Sequence, residues 1–276
     1  MKKFALISDG KKISKNLFHY IRSLYEKEPF LLTGAFFHSI NYGLLIPNTF
    51  APGASPYLAF TKEEHEAYLQ VIKEFQTLCV RYNIEHRVHE ESEEWHIDDL
   101  VKESRFTDLI IVSGELFFSD IEKEQPNEFL CDVLNHAECP VLVVPEDAKP
   151  VKRIAVAYDG SRESMFALKM FSNIFSQFTD VPIDIDYWTS KIDEDIQIPD
   201  LEYLEEFAGR HFTNVNFREQ SFDPQKYLAT WLNDKKDTLF ICGSYHRSTV
   251  SNWFKKSFAE DIIKNHSAAV FIAHPC

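Results

Sequence analysis

Apolar positions in this chain follow two rhythms. Short unbroken runs, such as Phe4-Ala5-Leu6-Ile7, Leu109-Ile110-Ile111-Val112, Val141-Leu142-Val143-Val144, Ile154-Ala155-Val156-Ala157 and Leu239-Phe240-Ile241-Cys242, end at polar or turn residues. Runs of this length without alternation read as strands buried on both faces. Between them apolar residues recur every three or four positions, the period of a helix that packs one side. The helical rhythm covers 13–27, 62–82, 94–105 and 127–136, then 161–175, 200–212, 224–234 and 251–265. Further strands fit 30–37 and 84–90 in the first half, and 183–189 and 215–219 in the second. Five strands alternating with four helices, twice over, predict an α/β fold. It would consist of two similar doubly wound domains, each a five-stranded parallel sheet covered on both faces.

The halves repeat one another. Lys3-Phe4-Ala5-Leu6-Ile7-Ser8-Asp9-Gly10 matches Arg153-Ile154-Ala155-Val156-Ala157-Tyr158-Asp159-Gly160, and Asp108–Gly114 matches Asp237–Gly243. Each half closes on an apolar run before proline, at Pro145 and Pro275. The division falls at residues 1–147 and 151–276. Gly160 follows Gly10 by 150 residues, but Gly243 follows Gly114 by only 129, so the first copy carries 21 extra residues. Residues 39–61, with Pro47, Pro52, Gly53 and Pro56 among Tyr42, Phe50, Tyr57 and Phe60, are the place for them. Such an insertion is either a self-packed surface loop or a partner-binding one.

Composition narrows the class. At 276 residues, 45% hydrophobic and 26% charged, the chain can build a globular core, and 24 phenylalanines make that core aromatic. A formal net charge of −14 argues against nucleic acid or an anionic membrane as partner. Five cysteines without tight pairing suit reduced thiols and a cytoplasmic setting. The apolar run after Met1 is too short for a signal peptide, and no stretch reaches the roughly 20 apolar residues of a membrane helix.

The candidate chemistry lies after the fourth strand of each half. Gly243, His246, Lys256 and Ser257 keep the spacing of a phosphate loop leading into a helix, and Gly114, Phe117, Asn127 and Glu128 repeat it. Such a loop needs glycine where backbone amides approach phosphate oxygens, and a helix N-terminus adds positive potential. In the first copy Phe117 and Asn127 obstruct that approach, and Glu128 sets a carboxylate against it. In the second, His246 and Lys256 add bulk, yet Ser244 and Ser257 can donate. Arg247, Lys255 and Lys256 can hold an anion by side chain, or stand solvated at the helix start.

These residues resemble the universal stress protein family in its tandem two-domain form. The family's G-x2-G-x9-G-[S/T] pattern is followed by a helix and a C-P-V-L-V-V strand; Phe129–Val144 matches that continuation, and Phe258–Val270 matches the helix in the second half. The resemblance implies the Rossmann-like universal stress protein fold, with the domains facing through their last strands as a pseudo-dimer; a further homodimer stays open. Members with intact glycines bind ATP and others do not. What it implies here is a stress-response binding or signalling module without robust catalysis. Its candidate cofactor site would be Asp159, Gly243, Ser244, His246, Arg247, Lys256 and Ser257, open to ATP or AMP in the second domain only. The alternatives are an ATP-binding member using that domain, and a carrier of a small apolar or metabolite ligand, suggested by Phe117 and Phe118 at the altered loop.

Other signals are weaker. His86, His89 and His96 lie among Glu90, Glu91, Glu93 and Glu94, which offers zinc ligands, or only a solvated acidic loop. A strand would point His86 and His89 to opposite faces. Asp9 and Asp159 either touch a ligand or cap their turns. Cys131 and Cys139 read as inert thiols. No nucleophile elbow, catalytic triad order or Walker lysine supports a named reaction, so the chain is not expected to be an enzyme.

Overall fold

A computed structural model describes residues 1–8, 10–36, 62–90, 97–114, 133–134, 136–188, 197–220, 237–243 and 268–275. The expectations for the 39–61 insertion, the helices over 224–234 and 251–265, and most of that over 127–136 lie outside these residues.

The first half runs β1 (Lys3–Ser8), α1 (Lys15–Tyr25), β2 (Leu31–Phe36), α2 (Lys62–Arg81), β3 (His86–Glu90), α3 (Ile97–Arg105), β4 (Leu109–Ser113) and β5 (Val141–Val144). The second runs β6 (Arg153–Tyr158), α4 (Arg162–Ile174), a 3-10 turn at Ser176–Phe178, β7 (Ile183–Trp188), α5 (Leu201–His211), β8 (Val215–Gln220), β9 (Thr238–Cys242) and β10 (Ala269–Ile272). Helix starts are set by side chains rather than by the apolar rhythm. Ser14 Oγ accepts from Leu17 N at 3.2 Å, so α1 begins two residues after the rhythm does. Ser161 Oγ accepts from Ser164 N at 3.1 Å and opens α4. The 3-10 turn was not anticipated; Phe175 leaves helical geometry at φ −116° and ψ 52°, and the chain tightens before Phe178 enters the core.

The ten strands of the described residues form one sheet in the order β3-β2-β1-β4-β5-β10-β9-β6-β7-β8. Every pairing is parallel except β5 with β10, where Leu142 faces Phe271. Those two residues are 129 apart, the same separation as Gly114 and Gly243, so each copy's last strand meets its own counterpart. The single antiparallel joint reverses direction across the sheet. The carboxyl ends of β1 and β4 therefore lie on the opposite sheet edge from those of β6 and β9.

Alternate strand residues are buried on both faces, as the unbroken apolar runs require. On one face α1, α2, α4 and α5 cover a continuous core that includes Phe4, Leu142, Phe171 and Phe271. Aromatic rings carry that core across the joint. Phe4 lies 4.2 Å from Phe30 and 5.9 Å from Phe175, and Phe271 lies 5.4 Å from Phe171 and 6.0 Å from Phe175. At its rim Lys27 Nζ sits 5.2 Å from the Phe178 ring centre, and Ser176 Oγ donates to Glu28 Oε2 at 3.3 Å. Among the described residues no helix is long and apolar enough to cross a membrane.

Candidate functional site

Two of the sequence-predicted site residues, Asp159 and Gly243, are described, and the fold brings both to the start of α4. Asp159 lies in the turn between β6 and α4, where Gly160 takes φ +77°. Its Oδ1 accepts from Ser161 N at 2.9 Å, so this carboxylate caps the turn. Gly243 follows β9 and lies against the first turn of α4. A Cβ there would fall within 2.6 Å of the Glu163 carbonyl oxygen, and closer still to the Glu163 carbonyl carbon and the Ser164 amide nitrogen. No side chain fits without moving backbone, so packing is by itself enough to require glycine here.

Ser244, His246, Arg247, Lys256 and Ser257 lie outside the described residues, as do Lys255 and, in the first half, Asp9, Phe117, Phe118, Asn127 and Glu128. The first-half landmarks that are described do not mirror the second. Gly10 has φ +70° and donates from its amide to Ser8 Oγ at 3.2 Å, and the Ser14 cap follows four residues later. In the second half Ser161 follows Gly160 directly. A Cβ on Gly114 would meet Pro145 Cα at 3.2 Å, not a helix.

Residues that the sequence reading passed over wall the second-half turn. Tyr158 Oη donates to the Pro199 carbonyl at 3.0 Å, and Pro199 Cβ would stand 2.8 Å from a Cβ on Gly160. The loop before α5 is thus laid over the Asp159–Gly160 turn. Asp200 begins α5 at φ +53° without a side-chain cap bond. Burial, then the charges of Asp200 and Asp159 and the Tyr187 phenol, push the Tyr158 hydroxyl above its ordinary pKa. The sequence signal was Pro199 directly ahead of the helical rhythm that starts at Asp200; its partner, Tyr158, lies 41 residues earlier.

The histidines diverge as strand alternation requires. His86 meets the Phe75 ring of α2 edge-on at 5.9 Å, whereas His89 Nδ1 bonds Glu103 Oε2 of α3 at 2.8 Å. His89 therefore lies on a strand rather than in a loop, and a carboxylate of α3 bonds to it. His96 lies outside the described residues, among which no group of three potential ligands converges on a metal position. Burial pushes the Cys79 and Cys242 thiols up to about 12, which leaves them protonated and inert near neutral pH. Cys139 is half-buried, and Cys131 is outside the described residues.

Solved structures share this architecture. A universal stress protein from Archaeoglobus fulgidus DSM 4304 superposes with a TM-score of 0.66 at 17% identity, covering 99% of this chain and 98% of its own. A protein of unknown function from Pseudomonas aeruginosa PAO1 superposes with a TM-score of 0.54 at 12% identity, covering 100% of this chain and 93% of its own. A provisionally assigned universal stress protein from Pseudomonas aeruginosa UCBPP-PA14 gives a TM-score of 0.54 at 12% identity, over 100% and 94%. No family model matches the sequence. No curated protein matches it either. The likeness is one of fold: the chain has the mostly parallel, Rossmann-like α/β architecture of universal stress protein structures, along its whole length.

Proposed function

We propose that the chain is a tandem stress-response module of the universal stress protein type, which binds or signals rather than catalyses. In this reading residues 1–147 and 151–276 are two domains packed as an intramolecular pseudo-dimer, working in the cytoplasm. The register of β5 on β10 carries the proposal, because counterpart residues Leu142 and Phe271 face each other across the antiparallel joint. That is the relation a two-fold dimer of single domains would have, here closed within one chain. Pairing the last strands also removes two sheet edges that would otherwise invite association.

The second domain is where we place a small-ligand site, and the glycine frame supports it less than its spacing suggests. The Gly243 requirement follows from its contact with α4, and the Asp159 carboxylate already serves its own turn. The reading therefore favours a degenerate nucleotide site over a working triphosphate loop. The net charge of −14 makes nucleic acid and anionic membranes poor partners, and leaves a protein or small molecule.

Calorimetric titration of the full chain with ATP and Mg²⁺, alongside a thermal-shift series, tests this. No heat and no shift at about millimolar nucleotide are expected. A clear stabilisation that scales with nucleotide concentration would replace the proposal by an ATP-binding module centred on the second domain. The His246→Gly, Lys256→Gly double variant separates obstruction from divergence. A gain in affinity would mean that the frame is only blocked; unchanged silence would mean that the pocket has diverged elsewhere.

A further inference from the structure

We propose that Glu103, gripped by Lys3 and His89, is an acid-released clasp that holds the outer strand β3 to the rest of the first half. Glu103 is buried on α3, with its side chain only 8% exposed. Oε1 takes Lys3 Nζ of β1 at 3.0 Å and the Thr107 hydroxyl at 3.3 Å, and Oε2 takes His89 Nδ1 of β3 at 2.8 Å. One carboxylate thus ties a helix to both the central strand and the edge strand of its half-sheet.

The second half shows what is particular about this arrangement. Arg153 follows Lys3 by 150 residues and Arg218 follows His89 by 129, the same two offsets that relate the repeat landmarks. Between these arginines lies another buried acid, Asp184, with Arg218 Nη2 at 2.9 Å, Arg153 Nη1 at 3.6 Å and Asn216 Nδ2 at 3.0 Å. Asp184 sits on β7, beside Ala155, whereas the first half has Thr33 beside Ala5. Both halves place a buried acid under two bases, but only in the first does the acid come from a helix, and only there is the edge-strand base a histidine. The second half is locked by two guanidinium groups that stay charged.

Charge decides when the first-half clasp holds. Burial pushes the Glu103 carboxyl up, but the hydrogen bonds from His89 and Lys3 outweigh it and keep the group below the ordinary carboxylate range. A carboxyl held low contributes stability above its unfolded pKa and loses it as pH falls through the folded value. Once Glu103 is neutral, its ion pair with Lys3 is lost and its bond to His89 loses the carboxylate charge. Arg87 lies on the same face of β3 as His89 by alternation. Asp98 and Asp99 in the first turn of α3, Glu90 at the end of β3, and Asp108, which accepts from the Lys3 amide at 2.8 Å, are further acids on or beside these elements, and Lys102 and Arg105 are further cations of α3. Among the described residues β3 pairs with β2 alone, so it is the strand that the clasp would release.

Residue-resolved amide hydrogen exchange of the full chain, corrected for intrinsic rates, reads this directly. In the wild type, protection over residues 86–90 should fall on acidification before that of β1 and β4. Glu103→Gln should exchange these amides roughly tenfold faster at pH 7, the loss of a charge-assisted bond, and should remove the early acid phase. His89→Gln, which keeps a donor but no imidazole, should hold β3 at pH 7 and weaken the acid response. Wild-type β3 protection that falls only together with the whole sheet, or a Glu103→Gln variant matching wild type over 86–90, would overturn the proposal.

Discussion

On Gly243 an added Cβ would run into the backbone of Glu163 and Ser164, whereas on Gly114 its nearest neighbour would be Pro145 Cα at 3.2 Å. The sequence frame treats these glycines as the same landmark, and spacing alone could not separate them. What distinguishes them is the depth at which α4 lies against the end of β9, a tertiary fact with no local sequence signature. Gly243→Ala is therefore expected to cost about 1–3 kcal/mol through a forced helix shift, with Gly114→Ala costing less. Denaturant midpoints at constant slope would check the order, and a neutral Gly243→Ala would contradict the contact. The loss should appear without any ligand, which separates a packing glycine from a binding one.

Turns and helix starts stand one scale up, and here the sequence was partly legible. The Asp-Gly pairs correctly marked the ends of β1 and β6, because a left-handed glycine is needed to leave each strand, at φ +70° and +77°. Whether Asp159 served a ligand or its own turn was undecidable from residue type, since either role needs a carboxylate in that position. The bond to Ser161 N is the turn-capping half of that pair of roles. Asp159→Asn keeps an acceptor and should leave the melting temperature unchanged within error, whereas Asp159→Ala should cost about 1 kcal/mol. Equal losses for both would point to charge rather than capping. The Pro199 latch was invisible in the sequence because its two partners lie 41 residues apart; Tyr158→Phe, which removes only the hydroxyl, should cost about 0.5–1.5 kcal/mol and loosen the loop before α5 in hydrogen exchange.

At the scale of the molecule, the α/β class and the order of the described strands and helices were legible, because period and burial follow directly from residue pattern. Boundaries shifted by only a few residues, where caps overrode periodicity. What the offsets could not convey is how far the halves share a core. The Phe4, Phe175 and Phe271 rings form a chain of contacts from β1 through the 3-10 turn region to β10, so buried apolar surface is continuous across the antiparallel joint. A joint of backbone bonds alone would let each half unfold independently; a shared aromatic core couples them. Phe271→Ala would remove the ring between Phe171 and Phe175 and leave a cavity at the centre of the sheet, at about 3–5 kcal/mol. Because Phe271 faces Leu142 across the joint, that loss should fall on both halves. Urea unfolding followed by segment-resolved hydrogen exchange is expected to show one cooperative transition in the wild type and a parallel downward shift of β1 and β6 in Phe271→Ala. Two separated wild-type transitions, or a shift confined to the second half, would mean that the halves touch without sharing stability, and the proposed pseudo-dimer would then be two domains joined at a seam.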